Sequence, residues 1–270
     1  VTNVFGLTPG TFETFLLVFV RTAVTLALIP VIGGPQIPMQ AKIALAGTIA
    51  YLVFKTVGVI APLPSVFALA NAVVAQALIG VLIGYVAFLV FMAVQFAGEI
   101  LDLQVGFSIV NIINPMTQQQ VSVIGQFELV IASLIYLLTD SHLLLIAGLS
   151  DSFKTAPLPY VTLTGGMQQD LGVFIAQSFL LAVKIAAPVA AALFVTNLAL
   201  GLMARVAPQI NVFVVGFPLQ IGVGIIMVAV SLPLLGVLLP PALAGIPQQV
   251  QTTLKTMTAA PSPTAPVPTP

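Results

Sequence analysis

Ionisable side chains are so scarce in this chain that each one inside an apolar stretch needs an explanation. Arg21 stands midway along one such stretch, Glu128 lies in another and Lys184 in a third. Gln95, Glu99 and Asp102 recur at i, i+4 and i+7, which on a helix makes one polar stripe along an otherwise apolar rod. Groups of this kind are costly in an apolar medium, so they face protein or water and often mark function. Glu99 and Asp102 carry like charges one turn apart, so a basic partner is expected, with Arg205 the first candidate and Arg21 the second. Three readings are open for the buried polar set Arg21, Gln95, Glu99, Asp102, Glu128, Lys184 and Arg205. They are structural ion pairs that fix helix or subunit register, a proton or ion path, or long side chains at segment ends that reach for the interface.

A second candidate carries no charge. The stretch "LQVGFSIVNIINPMTQQQ", Leu103–Gln120, follows a long apolar helical segment and is badly suited to continue it. Gly106 weakens the helix. Ile109, Val110, Ile112 and Ile113 favour extended backbone, and Pro115 disfavours a helical Asn114. Thr117 with Gln120 has the spacing of a capping box for the next helix. The residues Phe107, Ser108, Ile109, Val110, Asn111, Ile112, Ile113, Asn114, Pro115 and Met116 therefore read as an irregular apolar loop. Such backbone is tolerated at membrane depth only when buried in protein or lining a cavity. Asn111 and Asn114 supply some of the missing hydrogen bonds. A pore plug and a buried connector fit these residues equally well.

Other chemistries lack their residues. His142 is the only histidine and suits a capping or interfacial role, and there is no cysteine. No His/Cys/carboxylate cluster has metal spacing, no glycine loop suits a phosphate, and no nucleophile has a partner base. Neither an enzyme nor a cofactor is expected. The net charge is zero, which argues against nucleic acid.

The elements that must position these residues are hydrophobic. Of 270 residues 59% are hydrophobic and 5% charged, with a mean hydropathy of +1.18. Ordinary soluble domains are about 25% charged, so the chain is expected to be an all-α integral membrane protein. About six long segments stand out: Phe12–Ile32, Ala41–Ile60, Val66–Leu103, Val121–Leu138, Leu171–Met203 and Val212–Leu239. Asp140–Phe153 is too short to span and reads as a re-entrant or interfacial helix, with Asp140 or Ser141 as its N-cap. Lys154–Asp170 is a polar loop. Pro188 and Pro233 are expected to kink or break their helices, and Gly80 with Gly84 permits close helix approach. Lysines and arginines do not sort onto alternate loops, Trp is absent, and no cleavable signal peptide is expected. The hydrophobic domain covers residues 1–240. A short amphipathic helix over 241–257 places Ile246, Val250, Leu254 and Met257 on one face. A Pro/Thr-rich tail, 258–270, is expected to be extended and disordered.

Several stretches together resemble one family. "GEILDLQVGFSIVNIINP" (Gly98–Pro115) is similar to the central signature of the FliR/SctT family of type III secretion export-gate subunits. "NLALGLMARVAPQINVFVVGFPLQIGVG" (Asn197–Gly224) resembles its most specific block, carried here by Arg205, Pro208, Gln209, Asn211, Phe213, Gly216, Phe217 and Pro218. "DSHLLLIAGLSDSF" resembles the segment after the fourth span. The likeness extends over about Thr11 to Pro240 and leaves out the tail.

The resemblance implies a role that composition did not. It implies kinked helical hairpins in a helical hetero-oligomeric ring, one copy of this chain with FliP-type and FliQ-type subunits. FlhB-type and FlhA-type export components, unfolded export substrates and membrane lipid are the further partners. The site implied is the bacterial inner membrane, at the base of a flagellum or an injectisome, with much of the assembly lifted out of the bilayer plane. The loop 107–120 would plug the pore at rest. Two other readings compete: an ion- or proton-coupled secondary transporter, suited by broken helices and intramembrane charges, and a scaffold that lines no pore.

Overall fold

A computed structural model describes residues 8–107, 122–159, 167–209 and 211–258. Among them the regular elements are helices: α1 (Pro9–Leu28), α2 (Pro30–Gly33), α3 (Met39–Phe54), α4 (Val66–Val105), α5 (Val123–Leu138), α6 (Ser141–Thr155), α7 (Met167–Val206), α8 (Val212–Ala244) and α9 (Ile246–Thr258). The chain is an all-α integral membrane protein. Pro9–Leu28, Val66–Val105, Asp170–Val206 and Val214–Met257 are each long and apolar enough to cross a membrane. The pair α5 and α6 makes a fifth span if counted as one. With forty residues, α4 is about 60 Å long at 1.5 Å per residue, twice a hydrocarbon core.

Local sequence explains where the helices begin and end. Thr8 caps α1, its Oγ1 accepting from Thr11 N at 3.3 Å, with Pro9 in the first turn. Pro30 forces Ile29 into extended backbone, so α1 stops at Leu28. The second expected segment is helical only over Met39–Phe54, sixteen residues. The expected capping box at Thr117 and Gln120 lies outside the described residues, and the cap of α5 is Ser122, whose Oγ accepts from Gly125 N at 2.8 Å. Asp140 holds the N-cap position of α6, but in left-handed backbone (φ 53°) and with no cap bond from its side chain. A short polar residue tolerates that conformation, and the chain turns there between α5 and α6.

Of the kink or break expected at Pro188 and Pro233, the break does not occur: α7 and α8 are continuous through both prolines. Each proline removes one ladder bond, whereas ending the helix in apolar surroundings would orphan a full set of terminal groups.

The described chain divides into two compact units. The first comprises residues 8–88, 140–174 and 244–258. In it α1 packs on α3, α6 packs on α9, and the first part of α4 lies close on α1. A Cβ at Gly80 would stand 2.7 Å from Arg21 O, and one at Gly84 2.8 Å from Thr25 O, so these glycines let the two backbones meet. Ile246, Val250, Leu254 and Met257 of α9 are all buried, and Thr256 Oγ1 donates to Asp170 Oδ2 at 2.7 Å. The second unit comprises residues 89–139 and 175–243, that is α5, the later part of α4 and most of α7 and α8. Phe91 meets Tyr136 edge-on and Phe96 packs on Phe179 within it.

Candidate functional site

In the second unit the last turns of α4 carry the predicted polar stripe. Gln95 Nε2 donates to Glu99 Oε1 at 3.3 Å, and both side chains are half-buried. Asp102 is different. It is 4% exposed, and its Oδ1 accepts from Ile124 N at 3.2 Å. That N–H belongs to the first turn of α5, where helix N–H groups lack internal partners and the dipole is positive. Asp102 is thus a tertiary cap on α5, beside the local cap of Ser122. One turn along α5 from Ile124 lies Glu128, 1% exposed. The approach is close because α4 and α5 cross at two glycines. A Cβ at Gly98 would run into the Cα and N of Gly125, and one at Gly125 would stand 3.0 Å from Gln95 O.

The expected basic partners are not at this stripe. Arg205 and Lys184 are exposed on this chain rather than buried. Among the described residues the one ion pair is Lys154–Asp151 at 2.7 Å, on the surface of α6. The positive end of α5 does the work assigned to Arg205, since an N-terminal N–H can meet a carboxylate without a buried arginine.

Just beyond Asp102 the helix stops. Gly106 N donates to Asp102 O at 3.1 Å and Gly106 takes φ +95°, a conformation open to glycine. A Cβ there would stand 3.3 Å from Phe217 Cε1. Gln220 Nε2 donates to Gln104 O, and Gly224 accommodates Val105, whose Cγ2 would lie 2.5 Å from a Cβ on the glycine. Phe217, Gln220 and Gly224, at i, i+3 and i+7 on α8, therefore present one face to the end of α4. Gln220 and Gly224 were not among the sequence candidates, although that spacing stands in "GFPLQIGVG". Of the other motif residues, Pro208 and Gln209 are exposed in the turn between α7 and α8. Asn211 is exposed and its carbonyl accepts from Val214 N at 3.0 Å, Gly216 is buried and Pro218 is exposed on α8. The side chain of Phe213 lies outside those described. Phe107 is half-buried beside Gly106, while Ser108, Ile109, Val110, Asn111, Ile112, Ile113, Asn114, Pro115 and Met116 lie outside the described residues. Phe217→Ala should lower stability by about 1–3 kcal/mol, read as a fall in Tm of the purified chain in detergent. An unchanged Tm would deny Phe217 a part in holding α4.

A separate polar cluster lies in the first unit. Arg21 of α1 is 0% exposed. Its Nε and Nη2 both donate to Gln76 Oε1 on α4, the Nε bond at 2.8 Å. Nη1 donates to Ser152 Oγ at 3.0 Å and Nη2 to Ala156 O at 2.8 Å, at the C-terminal end of α6. The guanidinium also lies 3.9 Å over the Phe153 ring. Its charge is met by an amide, a hydroxyl, a carbonyl and the negative end of a helix, with no carboxylate. Gln76 Nε2 continues the network to Pro159 O at 3.0 Å. Arg21 therefore ties α1, α4 and α6 together and is not the partner of the Glu99–Asp102 stripe.

Long apolar helices, two of them sparsely covered within the chain, define an integral membrane protein. Residues 12–243 match the family described as bacterial export proteins, family 1, and the chain belongs to that family, the FliR family. It is 38% identical over 225 residues to the flagellar biosynthetic protein FliR of Bacillus subtilis (strain 168), covering 82% of this chain and 86% of that one. It is 34% identical over 222 residues to the FliR of Escherichia coli (strain K12), covering 80% and 82%. The FliR of Caulobacter vibrioides is 33% identical over 221 residues, covering 80% and 87%.

Proposed function

We propose that this chain is the R-type subunit of a type III protein export gate, a gated conduit in which residues 107–120 plug the pore. The observation that carries this reading is the construction at the two roots of that loop. One root is Gly106, packed on Phe217. The other is Ser122 at the start of α5, with Asp102 fastened to the same turn. A connector that must stay shut at rest and yield to a passing chain needs fixed roots, because the displaced state must return to one closed geometry.

Uncovered apolar surface supports a partner-bound state. In α4 67% of the most apolar window is buried within the chain, against 28% in Asp170–Val206 and 22% in Val214–Met257. Faces of that extent are met by lipid and by neighbouring helices. Partners of the expected kind are FliP-type and FliQ-type subunits in a helical ring with one copy of this chain, then FlhB-type and FlhA-type components and unfolded export substrates. The location is the bacterial inner membrane, and the flagellar names of the relatives favour the flagellar branch over the virulence one. The continuity of α7 and α8 through their prolines removes the broken helices that suited a secondary transporter.

Deleting Ile109–Ile113 tests the plug. Assembly should persist, and membranes carrying the variant complex should leak ions that the wild-type complex holds back. Normal assembly with an unchanged leak would end the plug reading.

A further inference from the structure

The two buried carboxylates beside the loop roots have been given only half a role. Asp102 uses Oδ1 on Ile124 N, but its Oδ2 is enclosed and meets no hydrogen-bond donor. Glu128 Oε2 is likewise enclosed and without a donor. A helical side chain reaches back over the preceding turn, so Glu128 extends toward the turn at Ile124 where Asp102 is fastened. Two ionised carboxylates cannot share an enclosed apolar site without a cation or a proton between them.

The charged and titratable groups around the pair supply no cation. On α4 the neighbour is Glu99, half-buried and bonded to Gln95. On α5 it is Tyr136, two turns beyond Glu128. Helix α8 carries no titratable side chain, and Lys184 and Arg205 of α7 are exposed. No group of three or more metal-ligating side chains occurs among the described residues. At 4% and 1% exposure, both carboxyl groups are closed off from solvent.

We propose that Asp102 and Glu128 together form a proton-binding site that holds one proton between two carboxyl groups. One proton removes one charge and turns one acceptor into the donor that the other oxygen lacks. Losing the proton sets two like charges across the Gly98–Gly125 crossing of α4 and α5.

Infrared spectroscopy of the purified full-length chain in detergent at neutral pH tests the site. Wild type should show the carbonyl stretch of a protonated, slowly exchanging carboxyl group. Glu128→Gln should abolish that band, and Asp102→Asn should shift or abolish it. A wild-type spectrum with no protonated carboxyl would overturn the proposal, leaving the pair ionised and met by a basic group of a neighbouring subunit. A band that neither substitution alters would overturn it equally. Should Glu128→Gln fail to fold, the wild-type spectrum and Asp102→Asn decide.

Discussion

Replacing Arg21 by methionine should destabilise the chain by about 2–6 kcal/mol, because two buried acceptors lose their donor. Methionine fills most of the space, so the loss comes from hydrogen bonding rather than from a cavity. Four charged donor contacts disappear, and Gln76 Oε1 and Ala156 O are left without the guanidinium that served them. Each buried acceptor so orphaned costs roughly 1–3 kcal/mol. Because whole domains are stable by only about 5–15 kcal/mol, the variant should accumulate poorly in membranes and melt well below wild type in detergent. Arg21→Lys should fall between the two. An ammonium keeps the charge but cannot span Gln76, Ser152 and Ala156 as the fork does. The double variant Arg21→Met with Gln76→Leu should recover part of the loss, because removing both partners of a buried hydrogen bond together costs far less than removing one. Arg21→Met melting at the wild-type temperature would show that the cluster contributes nothing to the first unit.

This cluster also marks what the sequence conceals. Arg21 is visible as a charge in an apolar helix, but its chief partner is an uncharged glutamine 55 residues away. Reasoning by charge looks for a carboxylate. A buried guanidinium is served equally by an amide, a hydroxyl and the carbonyl end of a helix, and none of these stands out in composition. Asp102 is the mirror case, since its positive partner is the start of α5 rather than a side chain. Arg205 and Lys184 misled for a different reason. A long apolar segment does not say which of its faces is covered within the chain, and both lie on uncovered ones.

Helix positions were far more legible, because a run of apolar residues bounded by Gly, Pro or Asn is set by local chemistry. The third segment, expected over Val66–Leu103, is α4 over Val66–Val105, and its stop at Gly106 follows from left-handed backbone at that residue. The start of α5 is set by a cap that stood beside another candidate. Thr117 with Gln120 offered one start for α5, and Ser122, next to the first apolar residue of the helix, provides the actual cap. Tertiary contacts at the end of α4 were hidden for the same reason as Arg21's partners. Nothing in "GFPLQIGVG" by itself says that Phe217, Gln220 and Gly224 face the end of α4.

The glycine pair Gly98 and Gly125 offers the sharpest contrast between local propensity and packing. By propensity alone, alanine in a helix interior is better than glycine by about 1 kcal/mol. Gly222 on α8 has nothing within 4 Å of a Cβ, so Gly222→Ala in the isolated chain should be neutral or stabilising by up to that amount. Gly98→Ala should do the reverse. Its Cβ would meet the Cα and N of Gly125, and backbone cannot move aside as the far end of a flexible side chain can. The two helices must separate, which weakens the bond from Ile124 N to Asp102 and opens the enclosure around Glu128. Overpacking of this kind costs typically about 1–3 kcal/mol, and Gly98→Val, with two more carbons at the contact, should exceed the upper end. Opposite signs for two glycine-to-alanine changes on apolar helices of one unit cannot come from helix propensity, membrane partitioning or expression level. They isolate the crossing. Melting temperatures of Gly98→Ala, Gly98→Val and Gly222→Ala, measured side by side in one detergent, make the comparison. A rise in Tm for Gly98→Ala would mean that α4 and α5 do not cross at these residues, and the cap that Asp102 and Ser122 share on α5 would go with it.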